Sequence, residues 1–339
     1  MLRELTRQAE GGEHLSARQA EEALDAILSR HLPDSEIAEL LVALAEKGEH
    51  PQEITGFARA MRRHALRLPV RRDDLVDTAG TGGGADTFNV STTAAFVIAG
   101  AGVAVAKHGN RAVTSRSGSA DLLEELGVDI GHQPELAAAC LQEIGVAFLF
   151  APAFHPAMAR VAQIRRNLSR RTIFNLLGPL TNPMGASYQL VGVFAPELTE
   201  SLAWSLASLG CRRAWVVHSR DGLDEISPAA LTRVSQVEDR RVQTFDFDPR
   251  DYGIEEDERP LPKGGDPARN AEITTGLLEG RLGGRARQIV LLNAAAAIYL
   301  VEGGSFEQAL DKAAESLDSG AALEKLRRLV QATQTGDLS

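Results

Sequence analysis

The stretch DTAGTGGGADTFNVST, residues 77–92, decides how this chain folds. It follows two apolar residues, Leu75 and Val76, and reads as a short strand, a glycine-rich turn and a helix opening at Ser91. A helix that starts behind such a turn offers unpaired backbone N–H groups and the positive end of its macrodipole, so the turn is a cradle for phosphate. The next apolar strand, Val103 to Val105, runs into the cationic block KHGNR, Lys107 to Arg111, and SGSAD follows at 117–121. Anion-binding backbone and fixed positive charge therefore come from neighbouring units. That arrangement suits a substrate carrying several phosphates.

Two familiar phosphate loops fit less well. No Lys-Ser or Lys-Thr follows at the spacing of a Walker A loop. Gly80, Gly82 and Ala85 satisfy a looser dinucleotide pattern. That motif needs a helix starting inside the glycine run and an acidic residue about 20 positions later. Here polar side chains continue through Thr87, Asn89, Ser91 and Thr92, and the downstream stretch is basic. A glycine turn after a strand is also common as plain loop chemistry, and the hydroxyl and amide run behind it favours phosphate.

Around this stretch the chain divides near residue 70. Residues 1 to about 67 carry helical patterning and no strand-like alternation. Ser16 and Gln19 have capping-box spacing ahead of Ala20, Ala23, Leu24 and Ile27; a second helix runs from about Ser35 to Lys47; a third starts at Pro51 with Ile54, Phe57, Ala58 and Met61 on one face. Three short helices make a marginal bundle that needs a partner surface, from the rest of the chain or from a second copy. From residue 72 on, apolar strands alternate with helices. Strands are predicted at Leu75–Asp77, Val103–Ala106, Val146–Phe150, Gln189–Phe194, Ala214–His218 and Val242–Phe247, and helices at about 91–101, 119–126, 135–144, 197–209 and 287–302. This alternation predicts an α/β fold with a mostly parallel sheet, helices on both faces, and sites at the carboxyl ends of strands. The polar stretch from Gly253 to Arg269 reads as a long surface loop.

Composition bounds the function. The chain has 339 residues, 44% of them hydrophobic, and a net charge of −10, which argues against nucleic acid or an anionic membrane as the partner. Cys140 and Cys211 lie far apart without metal-ligand spacing, which fits a reducing compartment and predicts a cytoplasmic protein. No apolar run reaches membrane-spanning length, and MLRELTRQAE is not a signal sequence.

Further chemistry comes from three places. Asp224–Glu225 follow the 214–218 strand and an Asp221-Gly222 turn. Adjacent carboxylates there suit Mg²⁺, a hard cation with oxygen ligands, although acidic residues after such a turn are also ordinary surface chemistry. Arg165 lies in FHPAMARVAQIRRNLSRR, residues 154–171. A guanidinium can grip a carboxylate with two prongs, while most of the five arginines there read as solvated helix face. FNLLGPLTNP, residues 174–183, reads as a wall or hinge without catalytic side chains. His108 lies in the basic block and His155 precedes Pro156; no nucleophile elbow or Ser/His/Asp arrangement points to a covalent intermediate.

Taken in order, GTGG…TFNVST, KHGNR, GSADLLEELG, RTIFNLLGPLTNP, DGLDE and LLNAAAAIYL resemble the anthranilate phosphoribosyltransferases over essentially the whole chain. The resemblance implies transfer of the phosphoribosyl group of 5-phospho-α-D-ribose 1-diphosphate to the amine of anthranilate in tryptophan biosynthesis, with Mg²⁺ (two ions) and no covalent intermediate. It implies a nucleoside-phosphorylase type of fold: a helical domain of 1–70 with a contribution from about 165–185, an α/β domain of 71–164 and 186–339, and a homodimer formed through the helical domain. Carried over by position, donor contacts fall on Gly80, Gly82, Gly83, Gly84, Thr87, Asn89, Val90, Ser91, Thr92 and Ser119. The loop Lys107, His108, Gly109, Asn110, Arg111, Ala112, Val113, Thr114 and Ser115 would close over the phosphoribosyl end. Ser91, Asp224 and Glu225 match metal ligands; Gly80, Asn110 and Arg165 match anthranilate-binding positions; His108, His155 and Pro179 match the lining of the aromatic pocket. Lys107, Asn110 and Arg165 are the residues expected to carry catalysis. GTGGGAD replaces the family's GTGGD and leaves the turn one residue shorter, so Asp86 is the candidate for the displaced carboxylate.

Rival readings are a pyrimidine nucleoside phosphorylase, which shares the phosphate logic but carries a GHTGGT-like stretch and DKLE, a non-catalytic relative that binds nucleic acid, and a structural scaffold. The acidic net charge opposes the nucleic-acid reading, and a scaffold has no need of polar glycine turns at several strand ends.

Overall fold

Apolar runs of five to seven residues, too short for stable helices, pair into one seven-stranded sheet. A computed structural model describes residues 1–68, 72–85, 87–112, 116–255 and 257–338. The strands are β1 (Val76–Gly80), β2 (Val105–Gly109), β3 (Val146–Phe150), β4 (Tyr188–Gly192), β5 (Arg213–Ser219), β6 (Thr232–Glu238) and β7 (Arg241–Phe247), in the spatial order β3-β2-β1-β4-β5-β6-β7. The first five positions are parallel and the last two pairings, β5 with β6 and β6 with β7, are antiparallel. The strand order reverses beside β1, which pairs with β2 on one side and β4 on the other. Ligand crevices in open α/β sheets open at such a reversal, outside the carboxyl ends of the strands. Gly80, the last residue of β1, stands opposite Gly192 of β4 at that point.

Alternation along the central strands sorts two cores onto the two faces. Leu190, Trp215 and Val217 point into a core with the helices Val90–Gly100, Arg285–Glu302, Phe306–Asp318 and Ala321–Thr335. Val191, Ala214 and Val216 point the other way, into a core shared with the N-terminal helices and the Leu198–Ser208 helix. The bundle thus finds the partner surface its size demands on the sheet itself. It also encloses an ion pair: Glu53, fully buried, meets Lys47 Nζ at 2.9 Å and accepts the Leu15 N–H at 2.8 Å. No single helix among the described residues is long and apolar enough to cross a membrane.

Several sequence expectations need correction. The bundle contributes four helices, not three, because Leu2–Glu10 also forms one. Its stripe of Leu2, Leu5 and Ala9 is only two turns long and no side chain caps it, so its signal is weak. Strand β6 was not predicted. It is joined to β7 by Asp239 and Arg240, both at positive φ (49° and 63°), in a hairpin turn without the usual glycine or asparagine. Two helices lie beyond residue 302, and the polar 253–269 stretch ends where the Pro267–Leu278 helix begins, capped by Asp266.

Candidate functional site

At the carboxyl end of β1 the glycine turn fills the crevice. Gly82 and Gly83 both take positive φ (66° and 88°), which only glycine adopts freely. The turn is pinned at its ends, where the Thr81 N–H donates to Gly192 O at 2.9 Å and the Ala85 N–H to Gly222 O at 3.0 Å. Between them, the N–H groups of Gly82, Gly83 and Gly84 find no acceptor among the described residues. Three successive amides at a strand end without an acceptor among the described residues have the geometry in which backbone binds anions. The helix behind the turn starts at Val90, one residue before the expected Ser91.

Beside the turn, Lys107 on β2 is buried and its Nζ donates to the Thr78 carbonyl at 2.5 Å and to Ser91 Oγ at 3.2 Å. Burial lowers its pKa, while Asp77 and Glu225 oppose the shift. Glu225 is enclosed by the same cluster. Burial and its neighbour Asp224 push it up to about 8, with Lys107 and the Ser91 backbone pulling the other way. Asp224 is raised too, chiefly by burial. It lies against the turn: a Cβ on Gly84 would come within 2.4 Å of its Oδ1, and one on Gly192 within 1.8 Å of its carbonyl oxygen. Glycine at 84 and 192 is what lets the carboxylate sit there.

Of these two adjacent, half-buried carboxylates only Glu225 feels the charge of Lys107, so the pair is short of positive charge. Together with Ser91 Oγ they form an all-oxygen set that fits Mg²⁺, which keeps waters and substrate phosphates in its remaining positions. Among the described residues no group of three or more His, Cys, Asp or Glu side chains is placed to hold a metal, so substrate oxygens would have to complete the sphere.

Not every predicted contact side chain faces the crevice. Val90 and Thr92 are buried, at 1% exposure each, and Thr92 Oγ1 has no hydrogen-bond partner among the described residues. The Asn89 amide is shared: Nδ2 donates to Ser117 O at 3.2 Å, and Oδ1 accepts from Asn270 Nδ2 at 2.8 Å. Thr87 keeps its carbonyl close against Gly264, where a Cβ would approach to 2.1 Å. Ser119 Oγ packs beside Gly109 and donates to Asn110 O at 3.4 Å. Arg111 turns outward to Asp121 and Glu124. Asp121 Oδ2 accepts the Ala112 and Gly118 N–H groups at 2.8 Å each and so holds these two residues together. Val113, Thr114 and Ser115, and Asp86 as candidate carboxylate, lie outside the described residues.

The predicted aromatic pocket begins at His108 and His155, whose rings are 5.2 Å apart. His108 Nδ1 meets Gly178 O at 3.0 Å, next to Pro179, whose own carbonyl accepts from Gln189 Nε2 at 2.6 Å. Among the described residues His108 Nε2 has no hydrogen-bond partner, and His155 has no more than a weak contact with the Thr181 backbone. Burial lowers His108 to about 3 and His155 to about 4, the Thr181 backbone opposing the second shift. Both rings are therefore neutral near pH 7. The Arg165 guanidinium lies 5.2 Å from the Phe174 ring centroid. It is half-buried, has its pKa lowered by burial, and has no hydrogen-bond or ion-pair partner among the described residues.

Three supporting residues escaped the sequence reading. Asp77, fully buried beneath the basic block, accepts the His108 N–H at 3.1 Å and Asn182 Nδ2 at 2.8 Å; burial raises it to about 6 against the pull of Lys107. Asn182 is the second. The third, Asn293, is the one polar side chain in the apolar run of LLNAAAAIYL apart from Tyr299. Its amide accepts the Ile226 N–H at 3.0 Å and donates to the Ile226 carbonyl at 3.1 Å, holding the chain directly after Glu225. A lone amide in an alanine-rich helix is the signal that could have found it.

Fold and site together define a glycosyl transferase made of a helical bundle and an α/β unit: family models for a glycosyl transferase helical bundle domain and a/b domain match residues 3–65 and 72–323. The chain belongs to the anthranilate phosphoribosyltransferase family. It is 50% identical to the anthranilate phosphoribosyltransferase of Moorella thermoacetica over 332 residues, 97% of this chain and 98% of that one. Among solved structures, the Thermus thermophilus anthranilate phosphoribosyltransferase matches with a TM-score of 0.90 at 42% identity, covering 98% of this chain and 99% of that one. The Saccharomyces cerevisiae enzyme in complex with PRPP and Mg matches with a TM-score of 0.88 at 29% identity, covering 98% of both chains.

Proposed function

We propose that this chain transfers the phosphoribosyl group of 5-phospho-α-D-ribose 1-diphosphate to the amine of anthranilate, forming N-(5-phosphoribosyl)anthranilate and diphosphate in tryptophan biosynthesis. The observation that carries this reading is the convergence, at the strand-order reversal, of three free glycine amides, buried Lys107 and the Asp224–Glu225 pair. The relatives named above, among them one solved with PRPP and Mg, support it.

In the reaction the C1–diphosphate bond breaks, the nitrogen–C1 bond forms, and the amine proton passes to water. Positive charge grows on the ribose and negative charge on the leaving group. The Gly82–Gly84 amides and Lys107 meet the departing charge from fixed positions in a partly dry site, where such groups need no reorganisation. Ser91, Asp224 and Glu225 would hold Mg²⁺, with two ions expected; when bound it neutralises diphosphate oxygens. Arg165, which has no anionic partner among the described residues, takes the anthranilate carboxylate, and Asn110 and Gly80 border the amine. His108 and His155, kept neutral by burial, line the aromatic pocket with Pro179 without placing charge beside the ring. An aryl amine is already neutral at pH 7, so no strong base is required and no covalent intermediate forms. The remaining donor contacts are those assigned above by resemblance.

The same reading carries three organisational proposals: a helical domain of 1–70 joined by about 165–185, a homodimer through that domain, and a cytoplasmic location. The test of function is the loss of anthranilate fluorescence when donor and Mg²⁺ are added to purified protein. Turnover supports the proposal; no turnover, together with phosphorolysis of thymidine, would favour a nucleoside phosphorylase instead.

A further inference from the structure

Five arginines lie between residues 154 and 171, and the structure separates them by what they touch. Arg160 pairs with Asp34 at 2.9 Å, Arg170 with Glu46 at 3.0 Å, and Arg166 donates to Gln163 at 2.7 Å. Only Arg165 and Arg171 have no hydrogen-bond or ion-pair partner among the described residues. Arg165 is spoken for by the acceptor. Arg171 is not.

The Arg171 side chain is held in place by other means. Its guanidinium carbon is 3.7 Å from the centroid of the Phe194 ring, within cation–π range. Its backbone precedes buried Thr172, whose N–H donates to Asn175 Oδ1 at 2.9 Å while the Asn175 N–H returns to Thr172 O at 2.8 Å. From this root the guanidinium reaches the glycine turn. A Cβ added to Gly83 would lie 2.1 Å from Arg171 Nη2, so the arginine occupies the space a side chain at 83 would take. One residue further on, Gly84 lies against Asp224. A cation, the free amides of 82–84 and the proposed metal ligand therefore follow one another along three residues. Arg171 also lines a cleft of about 340 Å³ with Asn175 and Phe194, so the guanidinium is open to solvent and has room to adjust. The one carboxylate lining that cleft, Glu49, is neighboured by Lys47 and Arg170 instead.

We infer that Arg171 is a further ligand of the donor's diphosphate, gripping it beside Gly83, one residue before the glycine that Asp224 packs against. This rests on the function proposed above. A planar guanidinium matches two phosphate oxygens at once, whereas Lys107 offers a point charge from below. Stacking on Phe194 fixes the plane before the ligand arrives, which reduces the ordering cost of binding.

The test compares the full-length wild type with Arg171→Met and Arg171→Lys, measuring donor binding in Mg²⁺ by calorimetry and the inhibition constant of inorganic pyrophosphate. Because the side chain is exposed, folding should be retained, and the melting temperature checks this. Loss of a charge-assisted contact predicts about a tenfold rise in both constants for Arg171→Met, with a smaller rise for Arg171→Lys and an anthranilate KM within about twofold of wild type. Unchanged donor and pyrophosphate constants in Arg171→Met, or a rise confined to the anthranilate KM, would overturn the inference while the function stands. Wild type that binds neither ligand would overturn the functional reading itself.

Discussion

Replacing Asn293 by leucine tests whether the carboxylate pair is positioned from a distance. The side chain is fully buried and spends its amide on both polar groups of Ile226 and on Ile289 O at 2.8 Å. Leucine is close in volume, so the main loss is two buried backbone groups left without partners. Each costs about 1–3 kcal/mol, giving roughly 2–6 kcal/mol of stability. That is a fall of several degrees in melting temperature at about 2–4 °C per kcal/mol for chains somewhat shorter than this one. The functional effect is distinct. Ile226 follows Glu225 directly, so freeing its backbone loosens the pair and should raise the half-saturating Mg²⁺ concentration by about tenfold, as loss of outer-shell support does elsewhere. The assay is the anthranilate fluorescence decay, titrated with Mg²⁺ well below the melting temperature, beside a calorimetric Mg²⁺ titration in the presence of pyrophosphate. If stability fell as expected while the Mg²⁺ requirement stayed at the wild-type value, Asn293 would be a core residue with no hold on the site.

Two further outcomes are expected. Arg165→Ala should raise the anthranilate KM sharply and leave the donor KM nearly unchanged; if both moved together, Arg165 would be structural. His155→Phe should flatten the pH dependence of stability. Its folded pKa of about 4 lies below the ordinary value of 6.5, so its contribution is complete above 6.5 and is lost as pH falls towards 4. At 1.36 kcal/mol per unit, wild type should lose about 2 kcal/mol more than the variant between pH 7 and pH 5, read from urea denaturation at the two pH values. Equal losses would place His155 in contact with water.

What the sequence made legible was local. The glycine turn, KHGNR and the strand–helix alternation each depend on residues within one unit, and the elements they predicted are present within a few residues of their expected bounds. Strand β6 stayed hidden because Asp239 and Arg240 make its turn with positive φ and no glycine follows the aspartate to signal it. The helix Phe306–Asp318 has a good start in the Ser305/Gln308 capping box, but two of its core contacts are the alanines 309 and 313, which carry little hydrophobic signal. The site was legible as types and not as partners. Asp224–Glu225 could be a surface turn until the β4–β5 register places Gly192 beneath them. Asn293 reaches Ile226 across 67 residues and Asn270 reaches Asn89 across 181, and no periodicity within a segment encodes such pairs. The five arginines of 154–171 look alike in sequence, and only packing separates the two that have no hydrogen-bond or ion-pair partner among the described residues.

Calorimetric titration of wild-type protein with 5-phospho-α-D-ribose 1-diphosphate, with Mg²⁺ and with EDTA in its place, tests the central claim most directly. The account predicts saturable one-to-one binding per chain that weakens at least tenfold when Mg²⁺ is removed, because half-buried Glu225 and Asp224 then face the diphosphate without a cation between. Binding of equal strength in EDTA would contradict the assignment of the carboxylate pair, and no binding in either condition would contradict the site.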